Sequence, residues 1–205
     1  MYSRMIRRIT LPTVVLLVAS SVCAQPIERH APAAKTLTIT IMGTLGPILS
    51  GSDPLGLNGD NGTMTVKASE ALSPTKHTSN SATYTLPAGA ISVKAGSHKF
   101  KTNSKSTMIV KLTSSADILT LDASGPDGLK LTAIAYLQAG SWTKSVLTHP
   151  TTFSPSPQNL TAAKTANGPG SKLEYTISGL KTILGLSGTA SNSDSADDLL
   201  YSEDW

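Results

Sequence analysis

The sequence predicts an all-β protein, an antiparallel sandwich of about eight to ten strands, with a small closed barrel as the runner-up. Two observations carry this expectation. Short runs alternate apolar residues with Thr, Ser or Lys, a period of two that places one face in a core and the other in water. No window sustains the 3.6-residue period of an amphipathic helix. Composition agrees, since 27 serines and 26 threonines stand among 205 residues.

The chain opens on a segment that is not part of this pattern. Arg4, Arg7 and Arg8 precede the apolar run Leu11 to Ala19, and Ser20-Ser21-Val22-Cys23-Ala24 follows. A basic start, a short greasy middle and small residues before a cut describe a secretory signal peptide. Residues 1–24 are therefore expected to be removed after Ala24, placing the protein in the periplasm, on the cell surface or outside the cell. A lipoprotein would acylate Cys23, but Ser20 and Val22 fit that signal less well than they fit simple cleavage. Residues 25–34 ("QPIERHAPAA") read as a polar connector.

Charge and cysteine narrow the chemistry. Three of the 17 basic residues lie in the leader, so the remaining chain carries 14 bases against 13 acids. Five of those acids (Asp194, Asp197, Asp198, Glu203, Asp204) fall at the C-terminal end. A body with one arginine and scattered lysines is no nucleic-acid signature. The single cysteine, Cys23, is in the leader, so a cleaved protein has no thiol for catalysis and none for a disulfide or a thiolate metal site. The fold then rests on its hydrophobic core.

Residues 35–190 are expected to form one sandwich domain. Its strands start with "KTLTITIMGTL" (Leu37, Ile39, Ile41 alternating with Thr36, Thr38, Thr40). They continue through "GTMTVKASE", "SATYTL", "AISVKA", "STMIVKLT", "GLKLTAIAYLQ", "SKLEYTISG" and "TILGLSG". "LPAGA" and "SGPDGL" supply Pro to preset the backbone and Gly to accept positive φ, so each is expected to close a hairpin between its neighbouring runs. Residues 149–171 form a long Pro-rich loop without alternation. Residues 191–205 are expected to be an acidic, flexible tail that contributes little to stability, because few apolar side chains offset the entropy of ordering it.

The stretch richest in ligand atoms is "SGSDPLGLNGDNG", residues 50–62. A helix–loop–helix calcium site fails from either start, because Leu55 and Leu57, or Gly62 and Ser69, fall where ligands are needed. A phosphate loop fails because no Gly-Lys-Ser/Thr follows. The stretch therefore reads as a connection, with Gly56, Gly59 and Gly62 tolerating positive φ. Asp53 and Asp60 remain the pair for a weak calcium site; on the loop reading, Asn at both leaves stability unchanged with or without calcium. No cofactor is expected, and no other metal.

Catalytic motifs are weak throughout. His77, His98 and His149 stand at no spacing that shares a metal, and the nearest approach to a nucleophile elbow, Gly185-Leu186-Ser187-Gly188-Thr189, lacks its last glycine. Ser73/Lys76, Ser141/Lys144 and Ser178/Lys181 match a common four-residue pattern without its helical setting. Tyr136 lies opposite the apolar set of its strand and Trp142 follows the short "QAGS" turn, so these two are the candidate platform for stacking a sugar ring. The leader, the Ser/Thr-rich strands and the absence of a catalytic motif resemble, in style, exported β-sandwich proteins of bacterial envelopes, and the resemblance carries over no functional residue. The absence of a catalytic motif, together with the strand grammar, points to a non-catalytic binding, adhesion or envelope role, with a glycan, an envelope polymer or another protein as partner. A carbohydrate- or polymer-binding module is the alternative, and a hydrolase with an unrecognised site the second.

Overall fold

A computed structural model describes residues 35–195, and these form an all-β fold. The leader 1–24, the connector 25–34 and the final residues 196–205 lie outside the described residues. Twelve strands follow one another, more than the eight to ten expected. They are β1 (Thr36–Ser50), β2 (Asn61–Ser69), β3 (Lys76–His77), β4 (Ser81–Leu86), β5 (Ile91–Ala95) and β6 (His98–Lys101). The second half contributes β7 (Ser106–Leu112), β8 (Ala116–Ser124), β9 (Lys130–Gln138), β10 (Gln158–Leu160), β11 (Lys172–Ile177) and β12 (Leu180–Ser195).

All twelve belong to one open antiparallel sheet, in the order β3-β4-β7-β8-β9-β11-β12-β1-β2-β5-β6, with β10 pairing β12. The sheet does not close, so the barrel alternative is set aside. It folds over instead, and the long strand β12 is where it turns. On one side β12 pairs with β1 over residues 183–195, with a register irregularity near Leu184; on the other, β11 pairs with residues 180–185 and β10 takes its place beside residues 188–190. At this crossing Gly43 faces Gly188, and a Cβ at Gly43 would sit 2.1 Å from the Ser187 carbonyl oxygen. Only glycine lets β1 and β12 approach so closely.

Alternation decides which side chains meet. Leu37, Ile39 and Ile41 of β1, Met64 and Val66 of β2, and Ile91 and Val93 of β5 are buried. From the other half come Tyr84, Met108, Val110, Leu119, Leu121, Leu131, Leu173 and Tyr175, and all of these join one apolar cluster. Burying such side chains contributes about 25 cal/mol per Å² of apolar surface, which replaces any disulfide as the main source of stability. The edges are blunted. β3 is two residues long, and β6 exposes His98, Lys99 and Lys101, a familiar guard against edge-to-edge association.

Both predicted turns form, but only one is a hairpin. The "SGPDGL" turn joins β8 to β9, which pair from Ala116↔Gln138 to Ser124↔Lys130. The "LPAGA" turn joins β4 to β5, and these strands do not pair: β4 lies between β3 and β7, and β5 between β2 and β6. Gly89 adopts φ 78° as anticipated. Its amide, however, donates to the Thr102 carbonyl, so the turn carries the chain across to the other half of the sheet.

The 149–171 segment is mostly loop, as expected, with Phe153, Leu160 and Ala163 buried and the short β10 formed within it. One further expectation needs correction. The tail begins later than Ser191, since Ser191 to Ser195 pair with Thr40 to Thr36 of β1. Asn192 also donates through its side chain to the Phe153 carbonyl at 2.9 Å. Truncation after Ala190 is therefore expected to lower the melting temperature by several degrees, at roughly 2–4 °C per kcal/mol for a domain of this size. A shift within one degree in a thermal melt would show that these five pairings add nothing. Among the described residues no helix is long and apolar enough to cross a membrane.

Candidate binding cavity

The 50–62 stretch is a connection between β1 and β2, as its composition predicts, and it also forms one wall of a cavity. Gly56 and Gly59 take φ of 65° and 91°, which lets the chain double back twice. Gly62 does not share this role; it is extended and paired within β2. The turns aim Leu57 into the core, where it is 4% exposed, and Leu55 against its margin.

Asp53 holds this loop in place. One carboxylate oxygen accepts the Asn58 amide at 2.7 Å, and the other accepts the hydroxyl of Tyr175. Tyr175 comes from β11 on the other half of the sheet, and its ring is 1% exposed. Its hydroxyl also receives the Leu55 amide at 3.4 Å. Partial burial works to raise the Asp53 pKa. The hydrogen bonds from Tyr175 and from the amides of Asn58, Leu57 and Gly56 outweigh it and hold the carboxyl below its ordinary 3.8. Tyr175 shifts the other way: burial, then the Asp53 carboxylate beside it, pushes the phenol up. A second pin closes the wall, where the His98 ring Nε2 lies 3.1 Å from the Leu55 carbonyl oxygen.

The cavity behind this wall measures about 160 Å³. Leu57, Val93, Leu129, Leu131, Leu173 and Ile177 line it, and so both halves of the sheet contribute. The exposed side chains of His98, Lys99 and Asp127 border it. The interior of this space is largely apolar, and its few polar groups stand at the border, the arrangement common to small-molecule sites. A small apolar group gains by entering.

The residues singled out from the sequence are not brought together. Asp60 does not join Asp53: its carboxylate lies over the Cα of Gly96, within 2.0 Å of where a Cβ would be. Both Asp53 oxygens already serve internal donors. Among the described residues no group of three or more His, Cys, Asp or Glu could hold a metal ion. The stability expectation for Asp53 changes accordingly, since it ties two halves of the sheet.

Trp142 corrects the platform reading. It is 4% exposed. Its Nε1 donates to the Thr151 carbonyl at 2.8 Å, and its ring meets Phe153 edge-on with centroids 5.3 Å apart. A ring enclosed in this way offers no face to a sugar. Tyr136 does face outward as expected, half-buried beside Ile118 of β8. The two aromatics therefore lie in different environments. Among the Ser/Lys pairs, Ser141 is buried and bonded to Gln138 and Gln158, while Lys181 pairs with Glu174 at 2.6 Å.

Sequence reasoning missed the cavity because its walls come from four separated segments, 55–57, 93–100, 126–131 and 173–177. Two signals were present: Leu55 and Leu57 inside a polar loop, and Phe100 in a run of charges. Comparison of the chain with protein-family models, with curated proteins and with solved structures gives no match.

Proposed function

We propose that this is an exported, non-catalytic binding protein whose site is the cavity between the two halves of the sheet. The observation that supports this reading is the largely apolar space of about 160 Å³ with a pinned loop as one wall. A cavity near 150 Å³ lined by Leu, Ile and Phe takes up benzene-sized molecules, so a small apolar ring or a short branched alkyl group is the ligand class that fits. The leader-like N-terminus supports export, which places ligand capture in the periplasm, at the cell surface or outside.

Benzene and toluene are the probes. Either one, near saturation, is expected to raise the melting temperature by roughly 2 °C or more, because a ligand that binds only the folded state stabilises it by mass action. Ala95→Leu and Leu129→Phe each fill the space and are expected to abolish the rise while the protein still melts cooperatively. No rise in the unsubstituted protein, or an equal rise in both filled variants, would overturn the reading.

A further inference from the structure

The opposite side of the sheet carries a second surface, and of the residues in its rows only Lys99 also borders the cavity. Where Leu37, Ile39 and Ile41 face inward, Thr36, Thr38, Thr40 and Thr44 face outward, and the register aligns them with their neighbours. Thr40 stands between Ser191 of β12 and Thr65 of β2, and Thr65 stands beside Ser92 of β5. Ser92 in turn pairs with Lys101 of β6. The adjacent row runs Thr189, Met42, Thr63, Lys94 and Lys99. The next row on the other side holds Ser193, Thr38 and Lys67.

The result is a grid of hydroxyls with lysines along one side. Strands lie about 4.8 Å apart and same-face residues about 6.8 Å apart, so the polar groups repeat in two directions. Lys67, Lys94, Lys99 and Lys101 are all exposed. Asp194, exposed near the end of β12, is the one acid on these five strands among the described residues, and it pairs with Leu37 rather than standing in the hydroxyl rows. The salt bridges among the described residues join Glu174 of β11 to Lys172 and to Lys181, which lies in the part of β12 that pairs with β11 and not in these rows.

We propose that this face binds an acidic polysaccharide laid across the strands. Ser and Thr hydroxyls both donate and accept, which matches the hydroxyls of a sugar chain, and the lysines supply the countercharge for its carboxylates. The face has neither of the usual features for nucleic acid. No arginine occurs after Arg29, and no aromatic ring stands on these rows to stack a base. A lipid surface is a poor fit, since Met42 is the one large apolar side chain among them.

The test uses the full chain and polygalacturonate, with dextran and polyphosphate as comparison polymers. At low salt polygalacturonate is expected to bind at least about tenfold more tightly than either, with affinity falling as salt rises. The double replacement Lys94→Glu/Lys99→Glu is expected to weaken binding by about tenfold or more and to flatten the salt dependence. Lys76→Glu/Lys130→Glu changes net charge equally on the other half and is expected to leave binding unaltered. Thr40→Val/Thr65→Val keeps the strand shape and is expected to weaken binding several-fold at unchanged salt dependence. Melting temperatures of all three variants check that the fold persists. The proposal is overturned by tighter binding of polyphosphate, by equal losses in the two charge-reversed variants, or by no effect of the two valines.

Discussion

Replacing Trp142 by Ala is expected to destabilise the protein by about 3–5 kcal/mol, the usual cost of truncating a fully enclosed aromatic. Three anchors converge on this residue. Its backbone amide donates to the buried carboxylate of Asp117 at 2.9 Å, its indole nitrogen bonds Thr151, and its ring packs against Phe153. Asp117 is 1% exposed. The truncation leaves a void, removes the support of Phe153 and loosens the start of the 149–171 segment. Trp142→Phe retains much of the packing but loses the bond to Thr151, so an intermediate loss is expected. Urea unfolding at fixed pH measures both variants. Had Trp142 been an exposed stacking platform, its removal would leave stability within about ±0.5 kcal/mol, and that result would refute the packing role.

Loss of the Asp53–Tyr175 contact is expected to have the next largest effect. Asp53→Ala leaves the part-buried Tyr175 hydroxyl without its acceptor, at about 1–3 kcal/mol, while the exposed Asn58 amide turns to water. Tyr175→Phe removes the same bond while keeping the ring, at about 0.5–1.5 kcal/mol. The double variant is expected to lose less than the sum, because the two residues share one interaction. Independent, additive losses in a double-mutant cycle would show that they are not coupled. Both single variants free one wall of the cavity, so a weaker response to benzene is expected as well.

The same contact sets an acid limit. The folded-state pKa of Asp53 is depressed, so its carboxylate contributes stability that is fully present above the unfolded value of 3.8. That contribution is lost as pH falls through the lower folded value. As pH falls from the ordinary value of 3.8 through the lower folded value, the protein is expected to lose more stability than its Asp53→Ala variant. Parallel pH profiles for the two would show that Asp53 is not the group responsible.

The fold class and eight of the strands could be read from alternation, and the reason is local. In a strand the side-chain period of two assigns each residue to a face whatever the partner, as in Thr36 to Ile41 or Ala82 to Leu86. The missed strands lack that signal. β3 and β10 are two and three residues long, and β6 reads His-Lys-Phe-Lys. β8 obscures its own period, because Ile118 and Leu119 are adjacent and Asp117 sits on the buried side. The last five residues of β12 are polar, and they are held by the main chain of β1.

Pairing was beyond local reading. The "LPAGA" turn reverses the chain as its Pro and Gly dictate, yet its flanking strands join different halves of the sheet. Main-chain hydrogen bonds are the same for every residue type, so they do not record which strand lies alongside. That choice is made by the face that must be buried and by the contacts available once the whole sheet folds over. The sequence by itself determined the periodicity, the turns, the polar loop at 50–62 and the lack of a cysteine-based framework. Only the tertiary structure decided that Asp53 meets Tyr175 from 122 positions away, that Trp142 is enclosed, and that the loop walls a cavity, because each depends on surfaces that come together only after distant strands pack.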